Sequence, residues 1–175
     1  MIVLFQDFDG VLNSEEFLRK WQLDHPDKSI KDFMNEFYYS NGFDGYLVPD
    51  KVKMFNEFIY SNDDIKIVCS SSWRIGFSLE HMRHLYKDRG LPHDRLIDLT
   101  PVLQSNSFSS TRSSEIYLYL KEHSLYDVIS MSLDDDYVES FEDFPRFKPI
   151  ETIFEYGLER HHIEEMKEWI EEQHK

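Results

Sequence analysis

Cysteine is nearly absent from this chain: Cys69 is the one thiol in 175 residues. No disulfide can close within it, so stability has to come from a packed core, and a reducing cytoplasm is the expected setting. Glycine and proline are scarce as well, at six residues each, which excludes a collagen-like or linker-like chain. No apolar run approaches the roughly 18 residues of a membrane span. The N-terminus has no basic segment followed by a long apolar stretch, so neither a membrane segment nor a secretory signal is expected. Positive charge is the remaining deficit. Nineteen Lys and Arg stand against 34 Asp and Glu, a net charge of −15. Such a surface repels polynucleotides at long range, which counts against a long duplex as partner. A small phosphorylated molecule, or a strand end held by a local basic patch, stays compatible.

What is present describes a globular protein, with 41% hydrophobic and 30% charged residues and many aromatics, 14 Phe and 10 Tyr among them. Residues 1–175 fit one domain with a sizeable core. Strand and helix patterns alternate, which predicts an α/β fold with a mostly parallel sheet. Ile2 to Phe5, Ile65 to Cys69, Leu96 to Leu99 and Ile129 to Leu133 read as strands, and Ile150 to Phe154 as a weaker one. Helices are predicted from Pro49, from an N-cap at Ser78, from Ser113 to His123, and around Ile163, Met166, Trp169 and Ile170. The stretch 14–46 breaks the alternation. It is helical in character, rich in aromatics, and reads as a small cap insert over the end of the first strand. Trp21, Phe33, Phe37, Tyr38, Tyr39 and Phe43 in it are expected to form a local core in preference to a base-stacking surface. Gln104 to Ser114 is Ser-rich and reads as a loop.

Carboxylates close two of these strands. The first runs into Asp7-Phe8-Asp9-Gly10, and the fourth into Asp134-Asp135-Asp136. In open α/β sheets ligands bind at the carboxyl ends of the strands. Carboxylates gathered there repel one another, which implies a hard cation such as Mg²⁺ with oxygen ligands. On an extended segment, residues i and i+2 point to one side, so Asp7 and Asp9 can share a pocket. Ser70 and Ser71 end the second strand, and Arg112 precedes a predicted helix, a place suited to anions. Each feature alone also reads as ordinary turn or cap chemistry. Their order and placement point to metal-assisted chemistry on a phosphate. Two other features read as structural: His161-His162 as a solvated helix start, and Cys69 as packing.

In that order the four segments resemble the motifs of the haloacid-dehalogenase-like (HAD) hydrolase superfamily. The resemblance implies a Rossmann-like three-layer sandwich with a small helical cap. It implies Asp7 as nucleophile, Asp9 as general acid and base, and Ser70 or Ser71 together with Arg112 as phosphate-binding groups. It also implies Mg²⁺ held by Asp7, Asp9, Asp134 and Asp135, Asp9 through its backbone carbonyl. Lys148 and Arg74 are alternatives to Arg112. The segments CSSSWR, Leu91-Pro92 leading to Thr100-Pro101, and Arg112-x-x-Glu115-Ile116 are similar to the HAD domains of Swiss-army-knife RNA-repair proteins. That likeness implies a phosphomonoesterase acting through an aspartyl-phosphate on nucleic-acid ends. The alternatives are a nucleotidase or sugar-phosphate phosphatase, and a degenerate HAD-like binding module that has lost catalysis. For the first of these readings Arg74, Arg112, Arg146 and Lys148 are expected to line one rim of the pocket.

Overall fold

Strand β1 (Ile2–Gln6) is buried at every position, as a strand flanked on both sides requires, and its near-continuous apolar sequence is the signature of a parallel sheet covered on both faces. The computed structural model describes residues 1–37, 46–103 and 112–175, with Met34 and Phe37 described by backbone only. The remaining strands are β2 (Ile65–Cys69), β3 (Leu96–Leu99), β4 (Ile129–Asp134) and β5 (Phe147–Glu151). They form one all-parallel sheet in the order β3-β2-β1-β4-β5. The chain moves outward from β1 through β2 to β3, then crosses to the other side of β1. The boundary between β1 and β4 is therefore the topological switch point, where an open α/β sheet has its crevice.

Side-chain alternation divides the core in two. Ile2 and Leu4 of β1 face a layer made by α3 (Pro49–Tyr60), α4 (Leu79–Asp88) and α6 (Arg160–Glu172). Val3 and Phe5 face α5 (Arg112–Glu122) and the segment carrying Val138, Phe144 and Phe147. The result is the expected three-layer Rossmann-like sandwich. Helix α3 starts with Pro49 at its first position, where the missing N–H costs nothing, and α4 starts under a Ser78 hydroxyl that accepts from His81 N.

Two expectations need correction. The last strand is Phe147–Glu151, displaced toward the N-terminus from the expected Ile150 to Phe154. Pro149 lies inside this strand, which pairs with β4 and stands at the sheet edge, where proline is tolerated. His162 is buried and caps α6, its Nδ1 accepting from Glu159 N at 3.0 Å, while its neighbour His161 is exposed.

Within 14–46 the structure has α1 (Glu15–Asp24) and α2 (Ile30–Phe37). Trp21 and Phe33 are buried and meet edge-on at 5.2 Å, and Phe33 meets Tyr46 edge-on at 5.0 Å. These rings form a local core, while Tyr38, Tyr39 and Phe43 lie outside the described residues. Cys69 is fully buried and its thiol is pushed up to about 11 by burial, so it packs and does not react.

Past β5 the chain turns back over the loop that follows β1. Leu158 N donates to Val11 O at 2.8 Å and Thr152 Oγ1 to Gly10 O at 2.7 Å. Gly157 makes that close approach with φ +65, and a Cβ there would lie 2.6 Å from Asn13 O and 2.9 Å from Val11 O. Gly76 also has positive φ but faces open space. Gly76→Ala should thus lose about 1–2 kcal/mol to backbone strain alone. Gly157→Ala should lose about 2–5 kcal/mol, because backbone overlap is added. Urea unfolding of the two variants checks this; equal losses would mean that the β1 loop yields freely.

Candidate active site

The strand ladders continue one residue past β1 and fix where its carboxylates begin. Asp7 N donates to Leu133 O at 3.0 Å, Ser70 N to Gln6 O at 2.9 Å, and Thr152 N to Asp134 O at 2.9 Å. Asp7 thus stands at the carboxyl end of β1, beside the end of β4. Asp134 is the last residue of β4, and Asp135 follows it. Oxygen atoms of Asp7, Asp134 and Asp135 lie within 4.8 Å of one another. Gly10 allows this assembly. Its φ is +61, and a Cβ would overlap the Asp135 carboxylate at 2.3 Å.

Arg112, the first residue of α5, enters this cluster. Its Nε is 3.0 Å from Asp134 Oδ2, its Nη2 3.5 Å from Asp7 Oδ2, and its Nη1 3.2 Å from Glu115 Oε2. Glu115 is held in turn by Arg74 at 2.6 Å. The Arg74 guanidinium also donates to the carbonyls of Thr100, Ser71 and Pro101. Arg74 is therefore buried as a brace between the loops after β2 and β3 and the start of α5. Lys148 pairs with Glu165 at 3.0 Å and lies over the Trp169 ring. Of the three candidates for the third motif, Arg112 is the one that meets Asp7 and Asp134.

Arg146 precedes β5 and bonds Asp127 O and Gln173 O at the amino ends of the strands. The expected rim of four cations does not form. Arg146 is at the opposite end of the sheet, Lys148 is paired with α6, and Arg74 is internal. Parallel strands separate residues by strand direction, which proximity in sequence to β5 does not show.

The two serines also take different places. The Ser71 hydroxyl accepts from Trp73 N at 3.2 Å and acts to lower the pKa of Asp7. The Ser70 hydroxyl is fully buried and has no hydrogen-bond partner among the described residues. Asp9 is not one of the carboxylate trio. Its Oδ2 accepts from the Trp73 indole N–H at 2.9 Å and its Oδ1 from Asn13 Nδ2 at 2.8 Å. Sequence reasoning missed Trp73, Asn13 and Thr152. Only the segment CSSSWR carried a signal, and there the serines and arginine drew the attention.

Electrostatics show a site short of positive charge. Burial raises the pKa of Asp134 to about 8, with the Asp7 charge adding and Arg112 opposing. Burial and Asp7 raise Asp135 to about 6. Asp7 itself is raised by burial, against the pull of Arg112, Ser71 and the Phe8 N–H. Burial opposes the Arg112 charge, but the carboxylates of Asp7, Asp134, Glu115 and Asp136 outweigh it, and its pKa is raised. Asp134 Oδ2 is buried without an aligned hydrogen bond, although Arg112 Nε is close. Three oxygen donors, one of them orphaned, fit a hard divalent cation. Glu159, His161 and His162 also bring ligand atoms within 4.8 Å, but His162 Nδ1 is engaged in capping α6.

A family model described as the HAD domain in Swiss Army Knife RNA repair proteins matches residues 3–163. The chain belongs to this family. Its five-stranded parallel sheet and acidic crevice are what a HAD-type hydrolase domain carries, and membership places it in the HAD hydrolase superfamily. No curated protein and no solved structure is similar enough to the chain to count as a match. Among the described residues of this HAD domain, no helix is long and apolar enough to cross a membrane.

The raised carboxylates make metal-free stability depend on pH in a definite direction. A carboxyl whose folded pKa lies above its unfolded value of about 3.9 stabilises the fold fully below that value. Its contribution is lost as pH rises through the folded pKa, here about 8 for Asp134. In chelator, Asp134→Asn should gain stability over the wild type as pH rises from about 4 to about 8, by on the order of a few kcal/mol. Urea unfolding at several pH values measures the gap; a constant gap would contradict the assignment.

Proposed function

We propose that this HAD domain is a Mg²⁺-dependent phosphomonoesterase that works through an aspartyl-phosphate on Asp7. The observation that carries the reading is the meeting of Asp7, Asp134, Asp135 and Arg112 at the switch point, with Asp9 two residues beyond the nucleophile. When bound, Mg²⁺ held by Asp7, the Asp9 backbone carbonyl and Asp135, with Asp134 as further ligand or orienting group, supplies positive charge against the phosphoryl oxygens.

The residues of the chain divide the remaining work. A carboxylate oxygen of Asp7 attacks phosphorus, the bond from phosphorus to the ester oxygen breaks, and Asp9 gives that oxygen its proton. The electron pair of the broken bond leaves with the alcohol. Water then attacks the phosphorus of phospho-Asp7, Asp9 takes its proton, and phosphate departs as the Asp7 carboxylate reforms. Arg112 binds the phosphoryl oxygens, and the Ser71 hydroxyl, which acts to lower the pKa of Asp7, is better placed to join it than Ser70.

For the substrate, the family description concerns domains of RNA repair proteins, which supports a terminal phosphate on a nucleic acid strand, such as a 3′-phosphate. A net charge of −15 and the dispersal of Arg74, Arg146 and Lys148 away from a common rim disfavour a track for internal duplex. The same dispersal favours, as second reading, a nucleotide or sugar phosphate. The helices within 14–46 act as a small cap beside the site, and a buried thiol suits the cytoplasm.

A screen with Mg²⁺ across nucleotides, sugar phosphates and oligonucleotides with 3′- or 5′-phosphate should find one class turned over, and chelator should abolish that turnover. Full turnover in excess chelator would refute the site. Asp7→Asn should lower kcat at least ~10³-fold, since an amide cannot act as nucleophile. Near-normal turnover by Asp7→Asn would mean that another group attacks phosphorus. A 3′-phosphorylated oligonucleotide ignored at low salt, with nucleotides hydrolysed well, would leave only the second reading.

A further inference from the structure

Asp9 has an unusual surrounding for an aspartate in a turn. Turn aspartates ordinarily bond the backbone a residue or two further on. Here both carboxylate oxygens accept side-chain N–H groups, Oδ1 from Asn13 at 2.8 Å and Oδ2 from Trp73 at 2.9 Å, and Trp73 lies 64 positions away in sequence. Each donor is itself fixed. Asn13 Oδ1 accepts from Gly10 N at 2.8 Å, and the Asn13 backbone lies under Gly157. The Trp73 ring stacks on the buried Phe8 ring at 4.6 Å and 13°, with Arg89 5.6 Å from its centroid. Trp73 N also donates to the Ser71 hydroxyl, whose side chain acts to lower the pKa of Asp7. One short 3₁₀ turn (Ser72–Arg74) and the serine that caps it therefore act on both Asp7 and Asp9.

We propose that Trp73, with Asn13, is a positioning residue that fixes the Asp9 carboxylate for proton transfer at the ester oxygen. The inference rests on the phosphatase reading above. Its physical basis is that a short carboxylate at a loop can rotate, whereas two donors from separate loops leave it one orientation. Each oxygen still keeps a lone pair that can carry the transferred proton. The indole is suited to this because the same ring packs against Phe8 and donates from its edge. In the first half of the reaction the effect falls on the proton that the leaving oxygen needs.

The test compares leaving groups in a single enzyme. Glycerol phosphate releases a basic alkoxide that needs a proton, whereas p-nitrophenyl phosphate releases a stable phenolate that does not. The value of kcat/KM reports the steps up to formation of phospho-Asp7, so the later hydrolysis does not enter it. Trp73→Phe keeps the stacked ring and removes the N–H. It should lower kcat/KM for glycerol phosphate about 10–100-fold, within the range that general acid catalysis supplies. For p-nitrophenyl phosphate the fall should stay below about threefold. Asn13→Ala removes the second donor without adding a charge and should show the same bias should Trp73→Phe fold poorly. Equal loss on both substrates, or no loss on glycerol phosphate, overturns the positioning role. Asp9→Asn serves as reference: if it too leaves glycerol phosphate turnover intact, the phosphatase reading itself falls.

Discussion

Two buried carboxylates side by side repel strongly, and Asp7 and Asp134 are placed so by the pairing of β1 with β4. The guanidinium of Arg112 compensates part of that cost, reaching both carboxylates and Glu115 from the first turn of α5. The compensation is incomplete. With Asp135 added, three carboxylates face one guanidinium, and their raised pKa values record the deficit. A protein that only needed to fold would gain from replacing such a cluster with apolar packing. Such a cluster fits a hard cation that would supply the missing positive charge.

The cluster is held by an outer ring of contacts that do no chemistry. Arg74 ties the carbonyls of Ser71, Thr100 and Pro101 to Glu115, and so locks the loops after β2 and β3 against α5. Thr152 does the same on the other side, bonding Gly10 O through its hydroxyl and Asp134 O through its N–H. Each brace joins loops from different strands at the same end of the sheet. Such second contacts hold reacting groups within the tolerance that catalysis demands.

The wider charge distribution follows from strand direction. In a parallel sheet all carboxyl ends lie on one side, so residues just before a strand and just after it are separated by the length of that strand. Arg146 precedes β5 and belongs to the end opposite the site, whereas Thr152 follows it and lies at the site. The site end of the sheet therefore carries Arg112 and hydroxyls, whereas Arg146 lies at the other end and Lys148 is paired with Glu165 of α6.

Much was legible in the chain alone. Strands read correctly where their sequences are apolar runs closed by a turn, as in Ile2 to Phe5 and Ile65 to Cys69, because burial on both faces leaves no other composition. The carboxylate pairs were legible because both follow strands and Gly10 marks the turn. The edge strand Phe147–Glu151 is less legible, because it contains Pro149, which only an edge position tolerates. Tertiary structure decided what depends on pairs distant in sequence: that Arg112, and neither Lys148 nor Arg74, enters the cluster, and that Ser71 acts on Asp7. It decided as well that Trp73 and Asn13 close on Asp9. Residue type and local order specify which chemistry is available, whereas which side chains share it is set by strand order and the direction of each loop.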